Sequence, residues 1–237
     1  MNLHTLPRVF YLTRHGQSEY NLLGKIGGDS GLTDAGRKYA QRLADFAHNV
    51  IGMKVERDKI TGEEKRTPQP ARLWTSTLRR TKETAQFIKH EKIPAFKWDN
   101  GDVVEWIQFQ GRARRNLDEL YAGVCDGLTY KEIEEKYPEE FARRQEDKLT
   151  YRYPRGKMRD CDWLPSTFDF YDLIPVPFHS GESYMDVTLR LEPIILDIER
   201  TREPILIVGK FSLPYAYVNV VIYHISLKYC RRSPRHT

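Results

Sequence analysis

Val9-Phe10-Tyr11-Leu12-Thr13-Arg14-His15-Gly16-Gln17-Ser18-Glu19-Tyr20-Asn21 runs a β-prone apolar segment straight into Arg-His-Gly. That order predicts a buried strand delivering a basic pair and a permissive glycine to its C-terminal edge. Open α/β sheets bind their ligands at that edge. A neutral imidazole is a good nucleophile toward phosphorus, and an adjacent guanidinium holds phosphoryl oxygens bidentately while charge builds on them. An Arg-His pair after a strand also reads as surface charge beside a satisfied core histidine. The following residues weigh against that plainer reading: Asn21 adds an amide donor, and Ile26-Gly27-Gly28-Asp29-Ser30 adds a glycine pair whose N–H groups can approach an anion closely.

The chain has 237 residues, of which 40% are hydrophobic, enough to bury the core of one larger domain. It contains no run of 18 or more apolar residues, and Met1 to Arg8 lacks the apolar region of a signal peptide. A cytoplasmic chain with no membrane partner is the expectation. Cys125, Cys161 and Cys230 are odd in number and scattered, which fits reduced thiols rather than a disulfide framework or a zinc site. The net charge of +5 points away from nucleic acid once it is located. Lys210, Lys228, Arg231, Arg232 and Arg235 stand in a tail without Asp or Glu and account for all of it, so residues 1–208 are formally neutral.

Beyond the glycine loop, Thr33 precedes Ala35, Tyr39, Leu43 and Ala47, a spacing that predicts an N-capped amphipathic helix. Residues 52–70 are polar and predict a solvated loop. Ala71 to Thr75 reads as a second strand, followed by a helix through Lys89. Phe96, Trp98, Trp106 and Phe109 lie in a less regular stretch and are expected in the core. Thr129-Tyr130-Lys131-Glu132 is a capping box. Arg144 and Lys148 are four apart, which predicts two cations on one helix face. Ser183 caps a stripe of Val187, Leu191, Ile194, Ile195 and Ile198, and residues 204–208 read as a buried strand.

Leu12 to Asn21, with Gly24-Lys25-Ile26-Gly27-Gly28-Asp29-Ser30-Gly31-Leu32, resembles the histidine phosphatase superfamily. It is most similar to the bisphosphatase half of 6-phosphofructo-2-kinase/fructose-2,6-bisphosphatase, and Glu119 to Cys125 matches that family's Glu-x-x-Ala-Gly-x-Cys segment. The resemblance implies a phosphoglycerate-mutase-like three-layer α/β/α sandwich with a mixed, mostly parallel sheet. It implies a sugar-phosphate substrate, fructose 2,6-bisphosphate, and no metal or other cofactor. His15 would accept the phosphoryl group and Glu119 would act as acid and base. Arg14, Arg80, Asn21 and Gly27 would hold the phosphoryl group, and Tyr130, Arg144, Lys148 and Tyr184 the rest of the substrate. A positioned carboxyl of this kind contributes on the order of 10²–10⁴-fold to rate. Asp118 is Glu119's neighbour, and only one of the two can enter a pocket. No Gly-x-x-x-x-Gly-Lys-Ser/Thr loop is present, so the kinase half is absent from this chain. A phosphoglycerate mutase-type or other sugar-phosphate phosphatase is the near alternative. An inactive phosphate-binding pseudoenzyme or misspliced product is the distant one.

The resemblance breaks twice, predicting a domain over 1–208 with a non-family insert at 157–180 and an atypical tail at 209–237 that disrupts the C-terminal part. Removing the insert and merging Gly156 with Gly181 restores Pro-Arg-Gly-Glu-Ser-Tyr. Where the family places a second histidine after the last strand, this chain has Gly209-Lys210-Phe211. Both breaks begin with Gly-Lys, codons for which can read through an intron donor. Translated introns are one explanation, and a lineage-specific insertion with a diverged C-terminus is the other.

Overall fold

A computed structural model describes residues 9–58, 60, 62–99, 101–156 and 181–210. Residues 157–180, expected to be an insert, and the expected tail beyond Lys210 lie outside the described residues. Among the described residues, eight strands and six α-helices are arranged in the order β1 (Phe10–Arg14), α1 (Glu19–Leu22), α2 (Asp34–Phe46), β2 (Met53–Arg57), β3 (Glu64–Pro68), β4 (Ala71–Thr75) and α3 (Arg79–Ala85). They continue as β5 (Lys92–Lys97), β6 (Val103–Ile107), β7 (Phe109–Ala113), α4 (Tyr130–Lys136), α5 (Pro138–Glu146), α6 (Tyr184–Arg200) and β8 (Ile205–Gly209).

The central sheet has the order β1-β8-β4-β7, and every pairing within it is parallel. The C-terminal ends of all four strands therefore share one edge. Antiparallel pairing falls in two separate hairpins, β2–β3 and β5–β6, rather than in this sheet. Strand β8 is buried along its whole length, as a strand covered on both faces must be. Its side chains alternate between two cores. Leu206 and Val208 pack with Leu43, Ala47 and Ile51 of the α2 region and with Ile88 beyond α3. Ile205 and Ile207 pack with Trp74 and with Ile194 and Ile198 of α6. Helices on one face, the sheet, and α6 on the other make the three layers. No helix among the described residues is long and apolar enough to cross a membrane.

Local signals set several helix starts. Thr33 caps α2 by accepting the Gly36 N–H, and Thr129–Glu132 and Ser183–Asp186 form reciprocal capping boxes on α4 and α6. In α2 the buried stripe is Gly36, Ala40, Leu43 and Ala44, continuing to Ala47, so the stripe through Ala35 and Tyr39 was out of phase. Gly36 turns that face inward because it packs on the chain after His15. A Cβ there would stand 2.2 Å from the Gln17 carbonyl oxygen.

Three further expectations are corrected. Residues 52–70 hold the β2–β3 hairpin instead of a loop, although nearly all of it is exposed. Of the aromatic stretch, Phe109 is fully buried in β7 while Trp98 and Trp106 are more than half exposed, because the β5–β6 hairpin leaves the sheet. The helix after β4 ends at Ala85, short of Lys89. On either side of residues 157–180 the chain meets: the Tyr153 N–H reaches the Glu182 carbonyl at 3.5 Å, and Gly156 packs against Gly123.

Candidate active site

The shared strand edge gathers His15 from β1, the start of α3 from β4, the loop after β7, and Lys210 from β8. The His15 N–H bonds the Gly209 carbonyl at 3.1 Å and so continues the β1–β8 ladder by one residue. His15 is 4% exposed. Nδ1 lies 2.7 Å from the Gly16 carbonyl oxygen, which can only accept, so Nδ1 carries the proton of the neutral ring. Nε2 is then the free lone pair, and it is buried without a partner among the described residues. Thr84 of α3 fixes the loop behind it, accepting the Gly16 N–H at 2.9 Å and donating to the Arg80 carbonyl at 2.6 Å.

Desolvation pushes the His15 imidazole down from 6.5 to about 4, with the Arg80 and Arg14 charges adding to the fall against the Gly16 bond and Glu119. His15 is therefore more firmly neutral at pH 7 than a histidine of ordinary affinity. Above about pH 4 the folded ring is uncharged, whereas the unfolded ring takes its proton near 6.5. As pH falls between those values the unfolded state binds more protons, so the contribution of neutral His15 to stability is lost across that window. In an NMR titration His15 is expected to protonate near pH 4. A midpoint near 6.5 contradicts the burial argument.

Arg80 is 2% exposed and donates Nη1 to the Gly28 carbonyl at 2.8 Å and Nη2 to Glu119 Oε2 at 2.5 Å. Its neighbour Arg79 faces out to Glu83. Glu119 is 9% exposed, and its second oxygen, Oε1, receives the Lys210 ammonium. Asp118 turns the other way and accepts from the Thr77 N–H and hydroxyl, both at 2.6 Å. The two neighbouring carboxylates thus face different partners.

The remaining expected residues are placed less uniformly. Arg14 is exposed at the end of β1, and only its charge reaches His15. Asn21 is exposed, and its amide oxygen accepts the Ser18 N–H in the capping box of α1. Gly27 and Gly28 have φ of 62° and wrap Asp126: a Cβ on Gly27 would stand 1.8 Å from Asp126 Oδ1, and the Gly28 N–H donates to Oδ2 at 2.8 Å. The Gly28 N–H, read as an anion donor, is thus taken by a carboxylate of the chain itself. Arg144 lies over the Tyr130 ring at 4.9 Å and donates to its hydroxyl, and Tyr153 and Tyr184 are electrostatic neighbours of the same guanidinium. Lys148 does not share their helix face. Helix α5 ends at Glu146, and Asp147 caps the Leu149 and Thr150 N–H groups in a turn, leaving Lys148 exposed beyond it. Sequence reasoning passed over Thr84, Asp126, Glu182 and Arg190. Only Arg190 left a trace, as a charge between Leu189 and Leu191 in an apolar helix.

The model of the histidine phosphatase superfamily (branch 1) matches residues 10–161, more than half of the chain and inclusive of His15, Arg80 and Glu119. The chain belongs to the histidine phosphatase superfamily. It is 37% identical over 209 residues to a 6-phosphofructo-2-kinase/fructose-2,6-bisphosphatase of Arabidopsis thaliana, covering 88% of this chain and 20% of that protein. Against the fructose-2,6-bisphosphatase of Saccharomyces cerevisiae it is 36% identical over 219 residues, covering 92% of this chain and 35% of the relative. The chain thus spans about a fifth to a third of the length of these relatives. Among solved structures, the alpha-ribazole phosphatase of Shigella flexneri superposes with a TM-score of 0.55 at 17% identity, covering 91% of this chain and 78% of that one. Bacillus stearothermophilus YhfR does so with a TM-score of 0.52 at 22% identity, covering 96% and 85%. These two likenesses show the fold alone, while the family match and the curated relatives support a phosphatase.

Proposed function

We propose that the chain is a fructose-2,6-bisphosphate 2-phosphatase-type hydrolase that works through a phosphohistidine at His15 and is slowed by Lys210. The observation that carries this reading is the His15 Nε2: buried, neutral, unpartnered, and in the electrostatic reach of Arg80 and Glu119. In the first step Nε2 bonds to phosphorus as the bond from phosphorus to the sugar oxygen breaks, and the departing oxygen takes a proton from Glu119. In the resting site Glu119 is a carboxylate paired with Arg80 and Lys210. A phosphate arriving there offers its own oxygens to both cations, which frees the Glu119 carboxyl to face the departing oxygen. In the second step Glu119 takes a proton from water, the water oxygen attacks phosphorus, and orthophosphate leaves His15.

Arg80 holds a planar fork of donors, suited to the phosphoryl oxygens in both steps. The Tyr130, Arg144 and Tyr184 cluster supplies a cation and phenols for the second phosphate. Comparing fructose 2,6-bisphosphate with fructose 6-phosphate and 3-phosphoglycerate by orthophosphate release tests the substrate. The bisphosphate is expected to have the highest kcat/KM, and Arg144→Ala is expected to raise its KM about 10-fold or more with kcat little changed, as loss of uniform binding does. Equal kcat/KM for all three substrates contradicts the assignment.

A further inference from the structure

Glu119 springs from a backbone that one partly buried ion pair holds on both sides. All five N–H donors of Arg190, in α6, are engaged. Nε donates to Glu182 Oε1 at 2.8 Å. Nη1 donates to the carbonyls of Asn116 at 2.6 Å and Arg115 at 3.4 Å. Nη2 donates to the Asp118 carbonyl at 2.6 Å and to Glu182 Oε2 at 3.3 Å. The same Glu182 carboxylate accepts the Tyr121 N–H at 2.9 Å. The carbonyl just before Glu119 and the N–H two residues after it are thus tied to one pair, whose side chains are 12% and 15% exposed. Attachment of α6 to the sheet does not need this arrangement, because Ile194 and Ile198 already bury against Trp74 and Ile207. The forked geometry instead fixes where the 115–121 loop releases its carboxylate.

We propose that Glu182 and Arg190 are positioning residues for the proton donor: they aim Glu119 at the departing oxygen and act on bond cleavage only where the leaving group needs a proton. The inference rests on Glu119 as the acid. As Nε2 of His15 bonds to phosphorus, the electron pair of the breaking bond goes to the leaving oxygen. A sugar alkoxide then requires the Glu119 proton, whereas a p-nitrophenolate leaves without one.

The test is the rate of phosphoenzyme formation by rapid mixing with fructose 2,6-bisphosphate and, separately, with p-nitrophenyl phosphate. Arg190→Lys and Glu182→Gln are compared with the parent chain and with Glu119→Gln. A misplacement of about 1 Å in a catalytic group costs on the order of 10²-fold. Each positioning variant is therefore expected to lose about that much with the sugar phosphate and almost nothing with the aryl phosphate, the same pattern as Glu119→Gln. Because both rates come from one sample, their ratio does not depend on the fraction folded. If Glu119→Gln discriminates between the substrates but Arg190→Lys and Glu182→Gln slow both alike, the positioning role is wrong and the acid assignment stands. If Glu119→Gln fails to discriminate, or the parent forms phosphoenzyme from neither substrate, the acid assignment falls and this inference falls with it.

Discussion

Histidine in place of Lys210 is expected to raise the release of fructose 6-phosphate by about 10²–10³-fold, the usual worth of one oriented donor to developing charge. Strand β8 runs parallel to β1 in a register that sets Gly209 beside Arg14, so residue 210 arrives next to His15. Lysine at that place supplies charge without direction. Its ammonium swings on a four-carbon stem, and in the resting site it reaches Glu119 rather than standing free for a phosphoryl oxygen. An imidazole would offer one N–H in a fixed plane to a phosphoryl oxygen. The parent is accordingly expected to turn over below the ordinary range of about 1–10³ s⁻¹. Steady-state assays of the two chains decide it: a parent inside that range, or a Lys210→His chain no faster than the parent, contradicts the role given to position 210.

The parts of the fold legible in the sequence are those whose cause is local. Thr33, Thr129 and Ser183 cap helices through bonds three residues away, and the apolar run after Pro204 forms a strand because both of its faces are covered. The phase of α2 was not legible, since its inward face is chosen by the contact of Gly36 with the chain after His15, a tertiary effect. The hairpins went unread because charged residues hide a period of two when both faces of a ribbon meet water, as in β2 and β3.

The site divides in the same way. His15, Arg80 and Glu119 could be named from motifs, and the fold gathers them at the strand edge. Lys148 could not be placed, because the break after Glu146 depends on Asp147 bonding its own backbone rather than on helix periodicity. The hold of Asp126 on the glycine loop spans 98 residues from Gly28, and that of Arg190 on the Asp118 carbonyl spans 72, separations at which spacing carries no signal.

Loss of the phosphoryl acceptor is expected to be complete in His15→Ala. No other histidine is among the buried residues of the described chain, and no other described histidine has an unpartnered buried ring nitrogen. Cys125 cannot substitute, because burial raises its thiol to about 11 and keeps it protonated at neutral pH. The most direct measurement is to mix the parent chain with fructose 2,6-bisphosphate labelled in its 2-phosphate, quench, and test the protein-bound label for stability in acid and base. The account predicts label that is lost in acid and kept in base, maps to His15, and is absent from His15→Ala. Label that persists at the parent level in His15→Ala, or that resists acid, would contradict it.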